Sequence, residues 1–166
     1  FPITIKKGTR IAYRVQDSNP GSAFQLALYG FTGNFDQVSS YDAIGFNAGA
    51  TRGTVTNLSG TAHTPGSWVQ LDSSTDRDYC GLFVVTDTQD INTSATFLID
   101  IGIGGAGSEV AILPSILIHL SRGMAGCWFG YVPILVPAGQ RLAVRAQAND
   151  TTFFAQPRVT VYGAVG

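Results

Sequence analysis

The densest group of potential metal ligands in this sequence is a set of aspartates in two neighbouring polar segments. These residues are Asp72, Asp76, Asp78, Asp87 and Asp90. Carboxylate oxygens are the ligands that Ca²⁺ prefers, and a sandwich-loop site draws them from several segments. The spacing differs from that of the helix–loop–helix calcium loop, and Arg77 adds a positive charge among the aspartates. We therefore interpret these residues as solvated loop carboxylates.

Histidine and cysteine show no spacing typical of a zinc site or a nucleophilic site. The chain contains only His63, His119, Cys80 and Cys127, without a Cys-x-x-Cys pair. No Gly-x-Ser-x-Gly elbow marks a catalytic serine. Both cysteines lie in apolar, strand-like surroundings, which favours two buried free thiols over a disulfide. The sequence predicts no catalytic residue, no cofactor and no metal, and hence a protein that is not an enzyme.

One glycine-rich segment matches a nucleotide-binding pattern but lacks its structural context. Residues 102–107 fit the Gly-x-Gly-x-x-Gly spacing and follow a strand-like run. Residues 108–114 are rich in β-forming side chains and end at a proline, so no helix N-terminus is available for a pyrophosphate. We predict a hairpin turn at these glycines.

The elements that carry these residues are organised around a sequence that occurs twice. Residues 1–16 and 132–147 are identical at seven of sixteen positions. The identical pairs are Pro2/Pro133, Ile3/Ile134, Gly8/Gly139, Arg10/Arg141, Ala12/Ala143, Arg14/Arg145 and Gln16/Gln147. Each copy is followed by a polar turn and an alternating strand that ends in Tyr-Gly, at residues 29–30 and 162–163. The repeated unit is predicted to be a meander of strands.

Each copy has one apolar face and one cationic face. Arg10 and Arg14 in the first copy, and Arg141 and Arg145 in the second, alternate with apolar residues. Because side chains two or four residues apart lie on the same face of a strand, each arginine pair should project together. We interpret this face as a solvated outer face, with a contact to an anion or a partner as the alternative.

Evenly spaced short strands between glycine-rich turns predict an all-β fold. Strand patterns occupy residues 68–71, 80–85, 95–103, 110–113 and 115–120. No segment keeps a helical period for three turns. Since such strands bury their apolar faces by packing two sheets together, we predict an antiparallel two-sheet β-sandwich of jelly-roll type.

The predicted domain organisation divides the chain into residues 1–45 and 46–166. The first part holds the first meander repeat and a long, turn-rich loop at residues 31–45. Either this part is the end of a preceding repeat, or it belongs to the same sandwich. The second part is the main sandwich and contains the second meander repeat.

The composition limits the classes of partner. Charged residues make up 13% of the chain, hydrophobic residues 45%, and the net charge is −1. Nucleic-acid binding requires a clustered basic field, which this sequence lacks. No apolar run is long enough to span a bilayer, so no membrane insertion is expected. A sandwich with few charges and with edge strands to cover favours a homo-oligomer, and we favour a trimer.

Aromatic residues in turn-rich segments are the candidates for a contact surface. The candidates are Phe31, Phe35, Tyr41, Tyr131, Phe153 and Phe154. Exposed aromatics on sandwich loops serve both subunit packing and sugar binding. A long loop without its own period, such as residues 31–45, is typically functional or is ordered by a partner.

Three segments resemble β-sandwich structural proteins of tailed bacteriophages. They are residues 66–71 (Gly-Ser-Trp-Val-Gln-Leu), 97–109 (Phe-Leu-Ile-Asp-Ile-Gly-Ile-Gly-Gly-Ala-Gly-Ser-Glu) and 132–147. The resemblance covers residues 66–163 and implies a virion component, often in tandem copies, of a tail fibre, a tail appendage or a capsid decoration. The partners it implies are copies of the chain, other virion proteins and, in a receptor-binding role, a host surface glycan. It implies no catalytic residue.

Two other classes of function are open on the sequence alone. A carbohydrate-binding module would use Tyr131, Phe153, Phe154 and the acidic loops. A jelly-roll glycan hydrolase or lyase would need paired carboxylates on one sheet face. Asp100 is the only acid that falls inside an apolar strand pattern, and no partner for it is evident in the sequence.

Overall fold

The computed structural model describes residues 8, 10, 38–44, 53–88, 95–120, 127–149 and 156–166. Within these residues the chain forms strands and no helix, so it has no helix there that could cross a membrane. The strands are β1 (Ser40–Ile44), β2 (Thr54–Val55), β3 (Val69–Asp72), β4 (Gly81–Thr88), β5 (Ala95–Ile103), β6 (Val110–Leu120), β7 (Cys127–Val132), β8 (Leu142–Ala148) and β9 (Pro157–Val165).

The strands form two antiparallel sheets that pack on each other. The first sheet has the order β1-β9-β4-β7, with β2 also paired to β9, and the second has the order β3-β8-β5-β6. The paired strands are β2–β9, β3–β8, β4–β7 and β5–β6. Along the sequence, both strands of each pair lie between the two strands of the pair before it. This nesting is the connectivity expected of a jelly roll. The predicted antiparallel two-sheet β-sandwich is confirmed.

The core lies between the sheets because each strand alternates inward and outward side chains. Leu142 and Val144 of β8 and Val159 and Val161 of β9 are fully buried, on the apolar face that their alternation with polar residues predicts to point inward. They pack with residues of β4 and β5, among them Leu82, Val84, Phe97, Ile99 and Ile101. Full burial of a side chain of this size stabilises a fold by roughly 1.5–3 kcal/mol. The same alternation predicts an inward-facing set in and after the first copy, and these residues lie outside the described residues: Ile3, Ile5, Ile11, Tyr13, Val15, Leu26 and Leu28.

Residues 31–45 are not the continuous loop that their sequence predicts. Ser40–Ile44 forms β1, which pairs with residues 161–165 of β9, and Ile44 is buried in the core. Its alternation is too short to stand out from the turn-forming residues that precede it. Pairing with β9, at the other end of the chain, holds this segment extended. The conformational preferences of residues 40–44 themselves do not reveal such a long-range pairing.

The chain divides into two compact units, Phe1–Asp36 and Gln37–Gly166. The boundary therefore falls before β1 and not between residues 45 and 46. Of the first unit the structure describes Gly8, which lies in a turn with φ of +86°, and Arg10, which is exposed. The second unit contains every strand named above.

The glycine-rich segment is the hairpin turn between β5 and β6, as predicted. Gly104 and Gly107 have φ of +121° and +84°, a backbone conformation that favours glycine. Pro114 lies within β6, which is an edge strand and tolerates the loss of a ladder donor. The β5–β6 register shifts at this point and Ser115 has φ of +57°. This bulge directs the N–H of Ser115 to Asp100.

Candidate functional site

Two of the predicted contact residues, Tyr41 and Tyr131, meet on the outer face of the first sheet. Each of their rings lies 5.3 Å from the ring of Phe83, centroid to centroid, at interplanar angles of 68° and 50°. Phe83 points outward because its neighbours Leu82 and Val84 point into the core. It is nevertheless only 5% exposed, and the two tyrosine rings help to cover it. Tyr41, Phe83 and Tyr131 are the aromatic cluster.

A glycine and a backbone carbonyl position Tyr131. The ring lies over Gly81, where an added Cβ would come within 2.1 Å of the ring carbon Cε2. The hydroxyl donates a hydrogen bond to the carbonyl of Cys80 at 3.2 Å. Burial raises the pKa of Tyr41, with a further contribution from Cys80. Both tyrosines are half-buried, so each presents part of its surface on this face.

The other four predicted contact residues, Phe31, Phe35, Phe153 and Phe154, lie outside the described residues and stay predictions. Phe83 belongs to the aromatic cluster but is not among the residues predicted from sequence. It falls in a continuous hydrophobic run, so its outward position is not evident from polarity. Strict alternation with Leu82 and Val84 is the signal that could have identified it.

On the outer face of the second sheet, Arg141 and Arg145 project from the same side of the β8 segment, as predicted. The Nε of Arg145 donates to Asp100 Oδ2 at 2.7 Å, and the two residues are directly opposite each other in the β5–β8 ladder. The Arg145 guanidinium also stacks 4.6 Å above the ring of Trp68. The second oxygen of Asp100 accepts a hydrogen bond from the Ser115 N–H at 2.7 Å. Asp100 thus connects β5 with both neighbouring strands.

A second carboxylate holds Arg141. Its Nη1 lies 2.7 Å from Glu109 Oε1 and 3.3 Å from the carbonyl oxygen of Gly104, and its Nε donates to Gln70 at 3.0 Å. Burial disfavours the charge on Glu109. Hydrogen bonds from backbone N–H groups, Gly107 among them, and from Arg141 outweigh this effect and hold the pKa of Glu109 below its ordinary value.

These contacts show that the interpretation of this arginine pair as a solvated cationic face is wrong. The side chains of Arg141 and Arg145 are only 16% and 32% exposed, and those of Glu109 and Asp100 only 3% and 14%. Each arginine is paired with a carboxylate, Arg141 with Glu109 and Arg145 with Asp100, while the alternative of a contact to an anion or a partner stays a prediction. Asp100, the acid considered for a hydrolase, has an arginine as its partner.

The acidic segment after β3 is folded against residues 136–140. Asp78 accepts a hydrogen bond from the N–H of Ala138 at 2.7 Å, and the buried Thr75 donates its hydroxyl to the carbonyl of Pro137 at 2.7 Å. Asp72 accepts from a backbone N–H two residues ahead. Asp78 is nevertheless exposed and Asp72 is partly exposed, which is consistent with the interpretation of these residues as solvated loop carboxylates. No group of three or more His, Cys, Asp or Glu in the described part of the chain could hold a metal ion.

Tyr79 is a buried phenol that bonds to an aspartate of β1. It is 3% exposed, and its hydroxyl donates to Asp42 Oδ2 at 3.3 Å. The same carboxylate oxygen lies 3.1 Å from the Nε of Arg77. Burial, followed by the charge of Asp42 and the hydrogen bond to it, raises the pKa of Tyr79 to about 12.

Cys80 carries a free thiol, as predicted, but it is half-buried and not fully buried. The thiol donates to the carbonyl of Ala164 at 3.4 Å. The side chain of Cys127 lies outside the described residues.

No protein-family model matches this chain, and no curated protein is significantly similar to it. Its fold defines it as an antiparallel β-sandwich protein whose first sheet carries an aromatic cluster and whose second sheet carries two arginine–carboxylate pairs.

Proposed function

We propose that the chain is a structural component of a bacteriophage virion, in a tail fibre, a tail appendage or a capsid decoration, that acts through subunit contacts and catalyses no reaction. The observation that carries the proposal is the aromatic cluster. Tyr41 of β1 and Tyr131 of β7 come from opposite edges of the first sheet and converge on Phe83. Large, partly exposed rings with a polar end are typical of protein contact surfaces.

The charged side chains of the second sheet also support a structural role. Arg141 and Arg145 connect β8 to Glu109 and Asp100 of the neighbouring hairpin. These ion pairs therefore stabilise the sheet. The charged fraction of the chain is only 13%, which leaves few surface charges to oppose association between subunits. Neighbouring subunits commonly cover edge strands, and β1, β3, β6 and β7 lie at sheet edges. The expected assembly is a homo-oligomer, with a trimer favoured, that also contacts other virion proteins.

The assembly is tested by light scattering of the full-length chain after gel filtration. The unmodified protein should elute as an oligomer. Tyr41→Ser should shift it towards the monomer, because the change removes one of the two tyrosine rings of the aromatic cluster. Leu117→Ser is the matched control, since Leu117 is 66% exposed on the outer face of the second sheet. If both changes have the same effect, or neither has any, the cluster is not the contact surface.

Two further measurements test the class of function. Mass spectrometry of gradient-purified phage particles should detect the chain, and its absence from particles while it accumulates in infected cells would reject the virion role. A monomer that binds specific sugars on a glycan array would establish the carbohydrate-binding module instead. Tyr131→Ala, with Tyr131→Phe as a control, would then test the aromatic cluster as the sugar platform.

A further inference from the structure

Of the strands at the sheet edges, β6 has the longest edge. It contains eleven residues, and among the described strands it pairs only with β5. Leu117 is 66% exposed, and Ser115 and His119 are exposed as well. Because a residue inside a sheet is shielded by strands on both sides, this exposure indicates that the second side of β6 is open in the part of the chain that the structure describes.

The ladder between β5 and its neighbours shows which backbone groups of β6 face this open side. The carbonyl of Thr96 accepts the N–H of the residue after β8, so the backbone N–H and C=O of Thr96 point towards β8. Successive residues of an antiparallel strand direct these groups to opposite sides, so Phe97 directs its own towards β6, where its partner is Ile118. By the same alternation, Leu117 and His119 direct their N–H and C=O groups away from β5, to the open edge.

The first half of this edge is protected against pairing and the second half is not. Pro114 has no N–H, the β5–β6 register shifts beside it, and Ser115 has φ of +57°. Proline and bulges are devices that keep an edge strand from pairing with another chain. Residues 116–120 follow the bulge in regular register with β5, and they include no Asp, Glu, Lys or Arg. Such a regular, uncharged, apolar edge is a template for a further strand.

We propose that residues 116–120 pair with the same residues of a second copy of this chain, antiparallel and about a two-fold axis at Ile118. In this register Leu117 of each copy lies opposite His119 of the other. These are the two residues whose backbone groups face the open edge, so each opposed pair exchanges both of its N–H···O bonds, and the axis generates two such pairs. The second sheets of the two copies become one continuous sheet.

A second copy fits this edge because the segment is complementary to itself. The exchange of residues 117 and 119 across the axis gives every edge-facing N–H and C=O of the two residues a partner. On the outer face it places the exposed Leu117 beside the imidazole of His119, whose Nδ1 lies 2.9 Å from the Oγ1 of Thr96. Like charges directly opposite each other destabilise a strand pair, and this segment brings no carboxylate, Lys or Arg against its own copy.

This pairing rests on the self-association proposed above but uses a different surface, because the aromatic cluster lies on the first sheet. Tyr41→Ser should therefore still leave a dimer in light scattering. In that full-length background, Leu117→Pro removes an N–H that faces the open edge and none that binds β5, so it should weaken the dimer at least about tenfold and retain the β-rich circular dichroism spectrum. Leu117→Ser keeps the N–H and is the control that should leave the dimer.

The outcomes separate the two contacts. A monomeric Tyr41→Ser chain, or a dimer that Leu117→Pro does not weaken, overturns the β6 pairing. An unmodified chain that stays monomeric overturns the self-association as a whole.

Disulfide trapping tests the register and does not depend on the proline variant. Two full-length chains carry Cys80→Ser and Cys127→Ser, one with Leu117→Cys and the other with His119→Cys. Directly opposed residues have Cα atoms about 5.5 Å apart, within disulfide reach, whereas the two copies of residue 117 would be diagonal neighbours roughly 7–8 Å apart. A mixture of the chains should form the mixed disulfide, and each chain alone should form little. Absence of the mixed disulfide, or equal formation of like pairs, would overturn the proposal.

Discussion

Asp100 lies directly opposite Arg145 in the β5–β8 ladder, and their side chains meet at 2.7 Å on the outer face of the second sheet. The same carboxylate accepts the N–H of Ser115 at the bulge in β6. One outward acid therefore fixes the register of three strands, because its two oxygens bind groups on either side of its own strand. This arrangement explains why an acid occupies the middle of an otherwise apolar strand.

Removal of this carboxylate should destabilise the sandwich. We expect Asp100→Ala to lower the free energy of unfolding by about 1–3 kcal/mol, because the Ser115 N–H and Arg145 both lose their acceptor. Asp100→Asn should cost less, since its amide oxygen still accepts from Ser115. Denaturant unfolding measures both changes. Ala substitution of the exposed Asp76 is the control. An equal loss of unfolding free energy in that variant would show that the contacts of Asp100 do not stabilise the sandwich specifically.

A side chain at Gly163 should be poorly tolerated. An added Cβ would lie 2.4–2.6 Å from ring carbons of the buried Tyr79, so Gly163→Ala should destabilise the fold by about 1–3 kcal/mol. Gly130→Ala is a matched control in β7, where nothing lies within 4 Å of the Cβ position. Thermal unfolding should separate the two variants. Equal melting temperatures would contradict the close packing of Tyr79 on β9.

Tyr79 should make stability fall at alkaline pH. Burial and Asp42 raise its pKa from 10.0 to about 12, so the folded state holds the phenolic proton more tightly than the unfolded state. This contribution is complete below pH 10.0 and is lost as the pH rises through about 12. Tyr79→Phe should remove that loss, and Asp42→Asn should lower the pKa of Tyr79. An ultraviolet titration in which every tyrosine ionises together near the ordinary value would refute this expectation.

Glu109 should make stability fall at acidic pH. Its pKa lies below the ordinary value of 4.5, so its contribution to stability is present above that value and is lost as the pH falls through the folded-state pKa. Because Glu109 is the only glutamate in the sequence, one carboxyl signal in a ¹³C NMR titration reports its ionisation. Arg141→Gln should raise this pKa. An unchanged titration in that variant would mean that the ion pair does not stabilise the charge.

The assembly should respond to a charge beside the aromatic cluster without a change of fold. Deletion of residues 31–45 would remove β1 and is therefore not a clean test of the predicted contact loop. Ala43 is exposed and shares the outward side of β1 with Tyr41, so Ala43→Glu should weaken oligomerisation and leave the β-rich circular dichroism spectrum intact. Light scattering measures the change. Ser40→Glu at the exposed start of β1 is the control, and a monomeric unmodified chain would refute the assembly.

Several features of the fold follow from local sequence. The alternation in residues 95–103 predicts the strand that β5 forms, and residues 102–107 predict its hairpin turn. β1 was missed because its five residues adjoin a turn-rich segment and are extended only through β9. The place of Phe83 was missed because a run of apolar residues conceals which of them points outward.

The local sequence determined which side chains share a face, as with Arg141 and Arg145, because a strand places alternate residues on opposite sides wherever it is found in the fold. It also determined where the chain turns, because glycine is the residue that readily adopts positive φ at positions such as Gly139. What those faces contact depends on the tertiary fold. The Arg145–Asp100 pair depends on which strands become neighbours and in which register, and these contacts join residues far apart in the chain whose alignment no local period encodes.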